Sequence, residues 1–250
     1  MAALAQIAFP SDGSITIRVE LPSPDTEVLP GYAWGDAGGL FTPAYWAANG
    51  HLFAATQGSA SKPHRFGRSL LEETCACLLG GYGMPAELGL AAFGRLRDER
   101  LLVPGTTCVA LEDALSASFF VAGRALRYRF PKQKARYLAK CLRIWERADP
   151  SARQGRSLRD WLTRLPGVGP KTASWIVRNW EDADDVAILD VHILRALQLL
   201  GLVGNTRLPR DYARVECVFL AFANGLSVRA SILDAVMWEH MRRWGHLVKC

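Results

Sequence analysis

The sequence predicts a mainly α-helical protein with an irregular N-terminal cap, and three observations carry that prediction. From Arg68 to Trp244, apolar residues recur at intervals of three and four in segments separated by glycine or proline, which is the period of amphipathic helices. Strand-like alternation is confined to one stretch, where Ile15, Ile17, Val19 and Leu21 alternate with Thr16, Arg18 and Glu20. The run Leu165-Pro166-Gly167-Val168-Gly169 lies between two helical patterns, so residues 157–180 read as helix, glycine-rich hairpin, helix. On this pattern residues 1–67 form the cap, loop-rich with short strands, and residues 68–250 form a helical body.

Within the cap, a Pro/Gly-rich passage carries the aromatics Tyr32, Trp34, Phe41, Tyr45, Trp46 and Phe53. It reads either as a cover packed on the helical body or as a substrate lid. Lys62, His64, Arg65 and Arg68 at its end suit a solvated loop and phosphate contact equally. In the body, Ser69 caps a helix that stops at Gly80-Gly81, and helices follow over Pro85 to Leu96 and Leu111 to Ala122. Residues 132–148 form the most basic helix. Lys132, Lys134, Arg136, Lys140, Arg143 and Arg147 supply its charge, and Tyr137, Leu138, Leu142 and Trp145 its core face. Periodicity leaves a solvated face and a nucleic-acid contact both open. Pro209 to Asn224 and Val228 to Trp244 complete the helices, with Ser227 as the N-cap of the last.

The chemistry concentrates in residues 157–201. Ser157 reads as the N-cap of the helix entering the hairpin, and Pro170, whose fixed φ suits a first helical position, starts the helix leaving it. Glycines two apart let the backbone turn tightly and approach another molecule, while the N–H groups at the head of the second helix face outward. That is a phosphate-binding surface, although a bare GxG also serves ordinary helix–helix turns. Lys171, in the first turn, faces the positive end of the helix dipole. A cation is disfavoured there, and the neutral amine is the form a nucleophile requires. Nineteen residues on, Asp190 follows the apolar run Val186 to Leu189 and precedes a helix, the position of an N-cap.

LPGVGPKTASWIVRN followed by AILDVHILR resembles the helix-hairpin-helix DNA glycosylase superfamily, whose signature is that hairpin plus a downstream aspartate. A lysine directly after the hairpin resembles the lyase-competent branch. YRFPKQKARYLAKCLRIW at 128–145 and LDAVMWEHMRRWGHLVK at 233–249 resemble the type-two 8-oxoguanine DNA glycosylase/AP lyases. The resemblance covers roughly residues 68–249. It implies a two-lobed fold with the hairpin, Lys171 and Asp190 lining the cleft, with Lys171 and Asp190 catalytic. It also implies DNA contact through Gly167, Val168, Gly169, Arg129 and Lys132, and base recognition through Trp238, Asp234 and Lys249. This chain departs from the pattern by carrying Cys250 beyond that lysine. The resemblance further implies a K+ or Na+ ion held by the backbone carbonyls of Leu165 and Val168. The activity implied is excision of an oxidised purine, 8-oxoguanine, with β-elimination at the abasic site. Two other readings stay open: a glycosylase for a different or bulky modified base in foreign (phage) DNA, and a non-catalytic DNA-binding module.

Composition narrows the classes. A net charge of +6 and a pI of about 9.1 favour an anionic partner such as nucleic acid, and the resemblance implies that this is double-stranded DNA containing a modified base. No apolar run reaches the roughly 18 to 20 residues of a membrane span, and the N-terminus lacks the layout of a secretion signal. The expectation is therefore a cytoplasmic, nucleoid-associated monomer with no membrane partner. The six cysteines, at 75, 77, 108, 141, 217 and 250, form no CxxC pair and no zinc-binding spacing. Free thiols are expected, with no iron–sulfur cluster, because only Cys217 and Cys250 lie near the C-terminus where relatives with a cluster hold it.

Overall fold

The computed structural model describes residues 5–57, 65–81 and 83–247. In chain order the described residues form β1 (Gln6–Ala8), β2 (Val19–Leu21), β3 (Glu27–Leu29), β4 (Tyr32–Ala33), α1 (Pro43–Gln57), α2 (Leu70–Leu79), α3 (Ala86–Asp98) and α4 (Cys108–Ser116). Then come β5 (Phe119–Val121), β6 (Arg124–Leu126), α5 (Pro131–Arg147), α6 (Gly155–Leu162), α7 (Pro170–Glu181), α8 (Val191–Leu199), α9 (Tyr212–Gly225) and α10 (Ala230–Trp244). The strands pair as antiparallel two-stranded ladders, β1 with β2, β3 with β4 and β5 with β6. The chain divides into two compact units, one from residues 1–62 and 184–250, the other from residues 63–183.

In the first unit the N-terminal residues are core. Leu21, Trp34, Phe41 and Trp46 belong to the same buried cluster as Leu197, Phe219, Phe222 and Leu233, which makes one compact unit of residues 1–62 and 184–250. Burial of these aromatics is what ties the two sequence-distant segments together. This segment also holds more regular structure than its Pro/Gly content suggests, because α1 escapes the sequence pattern. Gly50 interrupts that pattern, yet a Cβ there would lie 2.8 Å from Val228 Cγ1, so glycine lets α1 pack closely on the segment that precedes α10. The Tyr45 hydroxyl and His240 Nδ1, 2.7 Å apart, join α1 to α10. The alternating stretch forms a strand only over Val19–Leu21, with Val19 and Leu21 buried and Glu20 exposed, and Thr16 makes a single bridge to Ser11.

Ser227 is not a cap. Its φ is +56° and α10 starts at Ala230, where the Ser231 N–H donates to Asp184 Oδ1 at 2.8 Å. Asp184, which Arg229 also contacts, replaces the local serine with a carboxylate from far along the chain. Likewise α9 begins at Tyr212 rather than at Pro209.

In the second unit the helix expected to run to Ala122 stops at Ser116. Residues 119–126 form a β-hairpin because Ala122 and Gly123, with φ of +48° and +75°, make the two-residue turn that matches strand twist. Ser157 lies inside α6, whose N-cap is Gln154. The opening N–H, that of Gly155, donates at 2.7 Å to Glu181 Oε2 at the far end of α7, a partner that local sequence does not reveal. Lys134 leaves the charged face of α5. Its ammonium donates to the Leu78 and Gly80 carbonyls at 2.5 and 3.3 Å, filling acceptors at the C-terminus of α2, and burial lowers its pKa.

Candidate active site

The hairpin between α6 and α7 is a tight four-residue turn closed by the Val168 N–H donating to the Leu165 carbonyl at 3.1 Å. Pro166 takes its second position and Gly167 its third with φ +80°, the placement of a type II turn. The two glycines differ in what demands them. A Cβ on Gly167 would lie 2.3 Å from Tyr137 Cδ2, so the backbone both needs positive φ and rests on an aromatic ring of α5. Gly169 has φ −85°, caps α7, and has no atom within 4 Å of where a Cβ would be. Nothing among the described residues excludes a side chain there.

Three residues spaced by one helical turn on α5 seat the hairpin. Gln133 Nε2 donates to the Tyr137 hydroxyl at 2.9 Å, Tyr137 packs under Gly167, and the Cys141 thiol points at the Pro166 carbonyl at 3.8 Å. Burial pushes the Cys141 thiol up to about 12 and raises that of Cys75 as well, so both stay protonated packing groups. The far end of α7 is held through Asn179, whose amide donates at 2.8 Å to the fully buried Glu73 carboxylate. That carboxyl group also accepts from the Phe66 and Gly67 N–H groups at 2.7 and 2.9 Å, which satisfies polar atoms that would be costly to bury unpaired.

On this scaffold Lys171 is the second residue of α7, exposed, one position after Pro170. Leu165 and Val168 bury their side chains while their backbone forms the turn. Arg129 and Lys132, also exposed, lie at the start of α5; the Arg129 guanidinium reaches the Gly83 carbonyl at 3.4 Å and sits 5.1 Å from the Phe130 ring centre.

Asp190 belongs to the other unit. It is the N-cap of α8, and its Oδ1 accepts from the His192 and Ile193 N–H groups at 2.9 and 3.1 Å. The strand-like approach to it is fixed by two buried residues that sequence reasoning missed. Glu216 accepts from the Ala187 N–H at 3.1 Å, while the Tyr212 hydroxyl donates to the Ala187 carbonyl at 2.5 Å and accepts from the Leu189 N–H at 3.1 Å. A carboxylate inside the apolar run Val215-Glu216-Cys217-Val218-Phe219 was the available signal. Trp238, 44% exposed, meets His192 edge to face at 6.2 Å, so one end of α8 gathers the Asp190 cap and this indole. Asp234, one turn earlier on α10, is buried. Lys249 lies outside the described residues.

A glycine hairpin joining two helices, with a lysine on the first turn of the second, within a mainly helical chain, is the architecture of the helix-hairpin-helix DNA glycosylases. Residues 61–228, more than half of the chain, match the family model Ogg-HhH, 8-oxoguanine DNA glycosylase, and the chain belongs to that family. An 8-oxoguanine DNA glycosylase/AP lyase of Sulfolobus acidocaldarius is 34% identical over 115 residues, 43% of this chain and 55% of that protein. The chain thus spans little more than half the length of that relative. The Methanocaldococcus jannaschii protein of the same description is 29% identical over 173 residues, 67% of this chain and 77% of that protein. A crystal structure of the Methanocaldococcus jannaschii 8-oxoguanine DNA glycosylase aligns with a TM-score of 0.53 at 27% identity, covering 70% of this chain and 78% of that one.

The contrast between the glycines makes a test. Gly167→Ala is expected to destabilise the fold by about 1–3 kcal/mol in chemical denaturation, since it combines positive φ with overpacking against Tyr137. Gly169→Ala is expected to cost less, about 0.5–1 kcal/mol, since it loses only the advantage of glycine over alanine at an N-cap. Equal losses in both would mean that the hairpin does not rest on α5 as described.

Proposed function

We propose that this chain is a bifunctional DNA glycosylase/AP lyase that removes 8-oxoguanine from double-stranded DNA. The observation that carries the reading is Lys171, exposed in the first turn of α7 directly after the hairpin, in a chain of this family. The neutral Nζ lone pair attacks the sugar C1′, and the C1′ bond to the base breaks with its electron pair leaving on the base, which takes a proton. Opening of the C1′–O4′ bond then yields the Schiff base. Its iminium withdraws electrons, so the C2′ proton can be removed; that pair forms the C2′–C3′ double bond and expels the 3′ phosphate. Breaking the N-glycosidic bond builds positive charge on the sugar, which the Asp190 carboxylate stabilises as carboxylates do in glycoside hydrolysis.

The remaining roles are those that the family resemblance implies, and the chemistry of the residues suits them. The hairpin amides and the open position at Gly169 suit a phosphate approaching the head of α7, with Arg129 and Lys132 as further phosphate partners. The Leu165 and Val168 carbonyls are the oxygen donors that would hold K+ or Na+, which would supply positive charge for an anionic partner. The Leu165 carbonyl already accepts from the Val168 N–H, and its second lone pair is the one an ion would use. Trp238 offers a half-exposed ring on which an extrahelical base stacks, Asp234 supplies an acceptor, and Lys249 completes the recognition set.

A panel of duplexes, each bearing one modified base, tests the reading. Release of 8-oxoguanine with cleavage 3′ to the site, and a borohydride-trapped adduct on the same duplex, are expected. Preferential release of another base would move the substrate, and binding with neither release nor cleavage of any duplex would leave a DNA-binding module.

A further inference from the structure

The exposed face of α5 is not used by the excision chemistry. Lys132, Arg136, Lys140, Arg143 and Arg147 are all exposed, and spacings of four, four, three and four place them in one stripe within about 80° of the helix circumference. Among the described residues none of the five has an ion-pair partner, and Glu146 is the only acidic residue of α5. Like charges three and four apart repel and Lys132 faces the positive end of the helix dipole, so only Arg147, in the last turn, gains from that dipole, and the stripe as a whole adds little to helix stability. Charge is also segregated on a larger scale. Residues 63–183 carry 20 Lys and Arg against 12 Asp and Glu, whereas the remaining residues carry 10 against 12.

The position of the stripe identifies what it meets. Gln133, Tyr137 and Cys141, the residues that seat the hairpin, lie on the flank of α5 next to the stripe, so hairpin and stripe adjoin within one unit. From Lys132 to Arg147 the stripe runs about 22 Å, or roughly six to seven base pairs of duplex at about 3.4 Å each.

We propose that this face is a phosphate track for double-stranded DNA, holding the backbone of the duplex that flanks the hairpin whether or not a modified base is present. The track extends DNA contact beyond Arg129 and Lys132 to Arg136, Lys140, Arg143 and Arg147, and it does not depend on the excision chemistry proposed above.

The test uses the full chain and an unmodified duplex. Arg136, Lys140, Arg143 and Arg147 are replaced together by glutamine, a good helix former, and affinity is measured across a range of salt concentrations. The slope of log affinity against log salt is expected to fall by about 0.9 for each phosphate contact removed, with binding at least about tenfold weaker at physiological salt. Lys140→Arg, which keeps the charge, is expected to bind as the parent does. The pair Arg143→Gln and Arg147→Gln, farther from the hairpin, gives half the effect if the fourfold variant does not fold. An unchanged slope in a folded variant would make the stripe a solvated face and overturn the proposal. Because no base is excised in this assay, its outcome is separate from that of the duplex panel.

Discussion

Replacing Lys171 by glutamine is expected to abolish both the borohydride-trapped adduct and strand cleavage while leaving duplex affinity largely intact. The Schiff base is the only species in the scheme that reduction makes permanent, and an amide nitrogen cannot form it. Glutamine is a good helix former and Lys171 is exposed, so α7 and the hairpin should keep their shape. Gel analysis of reduced complexes together with a binding titration checks both halves. Trapping that persists in Lys171→Gln would place the nucleophile elsewhere.

Asp190→Asn separates charge from structure. The Oδ1 of Asp190 caps α8 through the His192 and Ile193 N–H groups, and an asparagine oxygen caps about as well. Thermal stability is therefore expected to hold while single-turnover excision falls about 10²-fold, close to 2.7 kcal/mol of transition-state stabilisation. Asp190→Ala is expected to lose both, with about 1 kcal/mol of stability going with the cap. Full excision activity in Asp190→Asn would reduce the residue to a cap.

Much of the candidate site was legible because it is local. The Pro166-Gly167 turn, the helix start at Pro170 and the cap at Asp190 depend on backbone preferences of the residues themselves, and each occurs where its residue type predicts. Elements whose partners are distant were not legible. Ser157 and Ser227 have the right chemistry for N-caps, but Glu181 and Asp184 meet the amides at the starts of α6 and α10 instead. The β5–β6 hairpin was hidden because apolar β5 reads as the continuation of α4 until the positive φ of Ala122 and Gly123 is known.

The sequence by itself determined the helical class, the glycine hairpin and the identities of Lys171 and Asp190, because turn geometry and capping are short-range. Tertiary structure alone decided that Tyr137 sits beneath Gly167, that Glu216 and Tyr212 hold the approach to Asp190, and that the N-terminal aromatics share a core with α9 and α10. Those contacts join residues dozens of positions apart, and their energy comes from burial and satisfied polar groups that exist only once the chain has folded.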